Sequence, residues 1–216
     1  METGWNENRA VLRGVVAAPP VPSHENHGVH YDLFPLTVRR LSGVEDRLNI
    51  IAAAPLLQCV PLQPGDQVEV EGEVRSFNNR SGQGSRLVIT LYARHLRPVP
   101  DEPHCNDLTL AGSLCKPPVY RRTPMGREIC DLLLAVNRRY GRADYLPCIA
   151  WGVLARQCAS LHVGDGIRLA GRLQSRAYTK VDQNGSQRRT AYEISIMSLS
   201  PAGPDTAIPE QRFLQI

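Results

Sequence analysis

Three histidines spaced by three, His24, His27 and His30 in SHENHGVH, would present a metal-binding face if they stood on a helix. Pro22 and Gly28 argue against a helix there and no cysteine is adjacent, so the segment reads as a solvated hairpin loop. His104-Cys105 is no better as a ligand pair. The six cysteines (Cys59, Cys105, Cys115, Cys130, Cys148, Cys158) contain no C-x-x-C pair and read as plain thiols. Glu69, Glu71 and Glu73 could imitate a two-metal site, but alternate positions on one wet strand face explain them more simply. No Gly-rich phosphate loop, Ser-His-Asp order or paired-carboxylate motif is evident, so no catalytic residue, metal or cofactor is expected. What remains is a stretch from Arg121 to Arg188 in which tyrosine and tryptophan alternate with arginine, in a chain only 6% aromatic. An unstacked base regains roughly 1–3 kcal/mol on an aromatic ring whatever its identity. Arginine grips phosphate as a fork and stacks on planar bases.

The elements that must position these residues occur twice. NRAVLRGVVAAPP (Asn8 to Pro20) is echoed by NDLTLAGSLCKPP (Asn106 to Pro118), DLFPLTVRR by DLLLAVNRR, and PGDQVEVEGEVRSF by VGDGIRLAGRLQSR, always 98 or 99 residues apart. Register held over three blocks means a duplicated domain. Val68, Val70, Gly72 and Val74 alternate with charged residues, as Ile167, Leu169, Gly171 and Leu173 do, giving strands with one buried face and an internal glycine that suggests a bulge or bend. One short helix is expected per repeat, Ala54 to Val60 and Val153 to Leu161, each leading to a Gly-Asp turn. Strand, strand, strand, helix, strand, strand is the layout of an OB-fold. The fold expected is therefore all-β with one short helix per repeat, two tandem five-stranded OB-fold barrels: residues 1–100, a linker at 101–105, residues 106–201, and a tail at 202–216.

Charge divides unevenly. Met1 to Cys105 carries 10 Lys+Arg against 12 Asp+Glu, whereas Asn106 to Pro201 carries 14 against 7. A basic half points to a polyanion partner. No apolar run approaches the roughly 18 residues of a membrane span, and METGWNENRA is unlike a signal peptide. A cytoplasmic protein with no membrane partner is expected.

The second repeat resembles the bacterial single-stranded DNA-binding protein family, through NDLTLAGSLCKPPVYRRTPMG, EICDLLLAVNRRY, ADYLPCIAWGVLARQCA, LHVGDGIRLAGRLQSRAY and DQNGSQRRTAYEI. The resemblance implies sequence-tolerant binding of single-stranded DNA, without enzymatic activity, in replication, recombination or repair. It implies stacking by Tyr140, Tyr145, Trp151 and Tyr178, and phosphate contacts by Arg121, Arg122, Arg138, Arg139, Arg172, Arg176 and Arg188. The competing possibility is that these aromatics are core. Tyr140 and Tyr145 flank the polar Gly141–Asp144 stretch and Tyr178 lies near Lys180, which favours exposure; Trp151, just before the helix, could plug the barrel end.

The first repeat has lost this set. Positions 99 residues before Tyr140, Tyr145 and Trp151 are Leu41, Asp46 and Ala52, the partner of Tyr178 is Asn79, and Glu69 and Glu73 stand where the second repeat has Arg168 and Arg172. It reads as a scaffold or interaction surface that retains Arg39, Arg40, Arg47 and Arg75 as cations. The family typically works with four barrels, so a homodimer of this two-barrel chain is expected. The family's acidic recruiting tail is absent from IPEQRFLQI, which puts recruitment of replication or repair proteins by that route in doubt. Alternatives are a primosome-type accessory protein and an interaction module with little DNA binding.

Overall fold

Asn8 and Asn106, which open the two repeats, act as backbone mimics. The Asn8 amide donates to Val74 O and accepts from Val74 N, both at 2.8 Å. Asn106 bonds Leu173 in the same way at 2.7 and 2.9 Å. Each asparagine thus stitches the first strand of its repeat to the bent fourth strand of the ring. The Gly-Asp turns have a matching device: Asp66 Oδ2 accepts from Gln63 N at 2.7 Å and Asp165 Oδ2 from His162 N at 2.8 Å, with Gly65 and Gly164 at φ +97° and +95°. The glycine is required because these φ values penalise a Cβ.

The computed structural model describes residues 7–79, 87–138, 141–182 and 185–202, without the side chains of 180–182, 187 and 188. The first repeat comprises β1 (Asn8–Val16), β2 (Val21–Asn26), β3 (Val29–Arg39), β4 (Glu45–Ala53), α1 (Ala54–Cys59), β5 (Gln67–Asn78) and β6 (Leu87–Pro98). The second comprises β7 (Cys105–Leu114), β8 (Val119–Arg122), β9 (Glu128–Asn137), β10 (Ala143–Trp151), α2 (Val153–Cys158), β11 (Gly166–Asp182) and β12 (Gly185–Pro201).

In the first repeat, β1 pairs β5, β5 pairs β6, β6 runs parallel to β4, β4 pairs β3, and β3 returns to β1 at Val15↔Thr37. Five strands therefore close a barrel over Leu12, Phe34, Leu36, Leu48, Ile50, Val70, Val74 and Leu91, all fully buried. The bend expected at Gly72 is a register shift between Glu71 and Gly72, where a Cβ would collide with the Tyr92 carbonyl. The second repeat follows the same order, β7-β11-β12-β10-β9, closed by β7–β9 at Ser113↔Ala135. Each repeat also has a short sixth strand, β2 on β3 and β8 on β9, outside the ring. The histidine segment forms the β2–β3 hairpin: His27 and Gly28 are the two turn residues, with φ 50° and 76°, and His24 stacks on Tyr31 at 4.9 Å. Among the described residues, no three His, Cys, Asp or Glu side chains are grouped as a metal site needs, and no helix is long and apolar enough to cross a membrane.

Strand pairing fixes the correspondence between repeats. Leu36↔Leu48 matches Leu134↔Leu146, an offset of 98, so Asp46 corresponds to Asp144, Arg47 to Tyr145 and Ala53 to Trp151. That is one residue away from the offset of 99 assumed above, both for β4 and for the match of DLFPLTVRR to DLLLAVNRR in β3 and β9. The extra residue is Gly152, at φ +58°, between Trp151 and α2. The offset of 99 holds only after it.

Two compact units emerge by contact. One holds Asn8–Leu108 together with Gly171–Ser195; the other holds Thr109–Ala170 and resumes at Ile196. The division does not follow the repeat boundary, because the outer β11–β12 hairpin belongs with the first barrel.

Candidate nucleic-acid interface

Side chains on alternate positions of β10 face outward. Tyr145 is 50% exposed and Trp151 40% exposed, six residues apart on the same strand face, or about 20 Å at the usual rise per residue. Tyr145 lies opposite Ala135 of β9, and Trp151 opposite Ile129, which in turn lies opposite Arg121 of β8. Between the two aromatics the same face presents Pro147 opposite Leu133 and Ile149 opposite Asp131, the carboxylate that Arg121 holds. The result is a mostly apolar strip, crossed by one ion pair, with a wet aromatic platform at either end. Gly112 of β7 supports it from the side, since a Cβ there would press on the Ala135 carbonyl. Tyr178, half-buried on β11, belongs to the other unit, with Arg172 and Arg176. Tyr140 and Arg139 fall outside the described residues, as does the side chain of Arg188.

The arginines expected at phosphates divide by partner. Arg121 Nε meets Asp131 Oδ2 at 2.8 Å and Arg122 meets Glu128 at 3.2 Å, both arginines largely exposed. Glu128 also accepts from the Tyr120 hydroxyl at 2.7 Å and pairs with Arg156; the Tyr120 bond first, then the arginines, holds its carboxyl below the ordinary value. Arg176 stands 4.0 Å from Glu193. Arg138 is bound to Asp144, which has no exposed surface, through two guanidinium nitrogens. That bidentate grip makes Arg138 part of the fold, and a phosphate role would require it to abandon a buried carboxylate. Arg172 is the opposite case: its Nε is buried with no hydrogen-bond partner among the described residues. A buried guanidinium donor left unpaired is costly, and an anion would satisfy it.

The first repeat's acidic strand is neutralised from within. Glu69 accepts from Arg13 Nε at 3.0 Å and Arg97 Nε at 2.8 Å, Glu71 pairs with Arg9 at 2.7 Å, and Glu73 pairs with Arg94 at 3.1 Å and with Arg75. Arg13 holds the Glu69 carboxyl below its ordinary range, with Arg97 adding to the effect. Arg39 and Arg40 meet Glu45 and Asp46, so of the four cations expected to remain there, Arg39, Arg40 and Arg75 are ion-paired.

Two features escaped the sequence reading. The first repeat does gather aromatics: Tyr31 and Tyr92 share a hydroxyl hydrogen bond of 2.8 Å, with His24 stacked on one and Arg94 4.7 Å over the other. Burial first, then the bond to Tyr31, pushes the Tyr92 hydroxyl up to about 12. These rings are used on each other. The second is the arginine–aspartate pair itself. Arg40 with Asp46 and Arg138 with Asp144 recur at a spacing of six in both repeats, a signal available in the sequence.

The single-strand binding protein family model matches residues 105–201. A single-stranded DNA-binding protein of Thermus thermophilus is 36% identical over 112 residues, covering 50% of this chain and 41% of the relative. Single-stranded DNA-binding protein 2 of Chlorobaculum tepidum is 32% identical over 102 residues, covering 43% of this chain and 67% of the relative. The crystal structure of the wild-type single-stranded DNA binding protein from Thermus aquaticus superposes with a TM-score of 0.74 at 23% identity, over 96% of this chain and 97% of that one. At that identity the likeness is one of fold, and it extends over both repeats. The chain spans roughly half the length of the first curated relatives that it matches.

Proposed function

This chain belongs to the single-strand binding protein family, and from that premise we propose that it binds and protects single-stranded DNA during replication, recombination or repair, without regard to sequence. The observation that carries the reading is the β10 face, where two exposed aromatics bracket a mostly apolar strip. Bases stack on Tyr145 and Trp151, with Tyr140 and Tyr178 as further platforms. Arg121, Arg122, Arg139, Arg172, Arg176 and Arg188 hold phosphates, and Arg138 acts by keeping Asp144 in place. A strand arriving at Arg121 or Arg122 competes with a carboxylate already bound in high dielectric, an exchange that costs little. The first repeat, whose carboxylates and arginines neutralise each other, contributes little direct affinity. The chain works in the cytoplasm as a homodimer of four barrels.

Trp151 reports on this reading, since Trp5 lies in the N-terminal segment outside the repeat. Saturating oligo-dT should quench its emission. The observed affinity should fall with salt, each neutralised phosphate adding about −0.7 to the log–log slope. Unchanged Trp151 emission together with no gel shift would sink the proposal, and comparison with oligo-U and duplex DNA sets the substrate class.

A further inference from the structure

We propose that Asp46, a buried carboxylate of the first repeat, is a positioning residue for the second repeat's β11–β12 hairpin, so that the repeat without a binding surface sets the affinity of the repeat that has one. The proposal rests on the DNA-binding reading above.

Asp46 has no exposed surface. Its Oδ2 accepts from Arg40 Nε and its Oδ1 from Arg40 Nη2, each at 2.6 Å. That would be a complete ion pair within the first barrel. The same Oδ1 also accepts from Ser175 N at 2.7 Å and lies 3.4 Å from the Ser175 hydroxyl, 129 residues away in sequence. The Ser175 Oγ in turn accepts from Arg47 N at 3.0 Å. Ser175 is therefore pinned by backbone and side chain to two consecutive residues of β4. On the returning strand, Tyr192 lies beside the side chain of Asn49, three residues beyond Asp46 on β4. Gln174 donates to Glu193 at 2.8 Å and cross-links the hairpin between these two anchors.

The consequence follows from what this hairpin carries. Arg176 is the next residue after the anchor and Tyr178 lies three beyond it. A two-stranded ribbon is marginally stable unless packed on something. Here β4 of the first repeat supplies the packing, through a charge-assisted bond that a buried carboxylate gives up only at high cost. With Ser175 fixed, Tyr178 and Arg176 meet a strand already ordered. With Ser175 released, binding must also order the ribbon, and affinity falls without loss of any contact to DNA.

Two variants in the full chain test this. Ser175→Ala removes the hydroxyl bonds and leaves Arg40 and Asp46 paired, so it folds even where Asp46→Ala does not. Amide exchange at residues 174–179 should quicken in both, and oligo-dT affinity should fall roughly 2- to 10-fold for Ser175→Ala and about 10-fold or more for Asp46→Ala. The salt slope should stay at the wild-type value, because no cation is lost, and Ser175→Thr should restore protection and affinity. Unchanged hairpin exchange in both variants, unchanged affinity, a slope shallower by one phosphate, or no rescue by threonine would each overturn the proposal. If the wild-type chain itself fails to bind oligo-dT, the binding reading falls and the assignment of an affinity-setting role to Asp46 falls with it, while hairpin exchange in the variants still shows whether the anchor exists.

Discussion

Arg138 folds back onto wholly buried Asp144, whereas Arg172 keeps a buried Nε that meets no acceptor among the described residues. Arg172 lies on β11 and Arg138 just past the end of β9 in the same repeat, and the resemblance assigns both to phosphate. The structure separates them by what a truncation leaves behind. Arg138→Ala takes the bidentate guanidinium away from the buried Asp144 carboxylate, which should cost about 3–5 kcal/mol of stability. Tyr145→Ala removes a half-exposed ring from the wet face of β10. It should cost roughly 1–3 kcal/mol of oligo-dT binding and change stability by no more than about 0.5 kcal/mol. Thermal melts run beside binding titrations read both, and a large stability loss for Tyr145→Ala would make it a core residue. Neither fate could be read from the chain alone, because residue type gives the charge and only tertiary contacts say whether it is already spent.

At the scale of elements, the features visible in the chain were those whose cause is local. The Gly-Asp turns show because an aspartate caps its own loop, and the bend at Gly72 shows because a strand rarely tolerates glycine without reason. The short strands β2 and β8 did not show, since they bury nothing and leave no alternation to read. The shift of register at Gly152 was hidden because one inserted residue between strand and helix changes no pattern on either side. The acidic strand β5 was visible, but the arginines of β1 and β6 that neutralise it could not be placed beside it from the chain alone. That network makes stability depend on pH. Arg13 holds the folded Glu69 carboxyl below the ordinary 4.5. A carboxylate with a depressed folded value adds stability above its unfolded value and loses it as pH falls through the folded one. The melting temperature of Glu69→Gln should therefore lie furthest below wild type near neutral pH, and the gap should close as pH falls below 4.5. A gap that stays constant across that range would show that Glu69 acts by packing alone.

At the scale of the molecule, the question is why a barrel with its aromatics used internally and its charges paired is retained. The hairpin anchor gives one answer within a single chain. Assembly gives another, because two barrels per chain reach four only as a dimer, and a closed twofold contact is the simplest way to pair identical chains. Barrels hide most strand edges, but each repeat here keeps one short strand outside its ring, and every residue of β2 and β8 is exposed. Such free edges are where two copies can extend a sheet, and charge on an edge is what prevents it. Light scattering at micromolar protein should therefore give about twice the 23.9 kDa of one chain. Val21→Lys on β2 and Val119→Lys on β8, both exposed positions, then ask which edge is used. The substitution that halves the mass without lowering the melting temperature marks the contact. If neither does, the dimer is held elsewhere, and a wild-type mass near 23.9 kDa removes the dimer altogether, leaving the hairpin anchor as the first repeat's role.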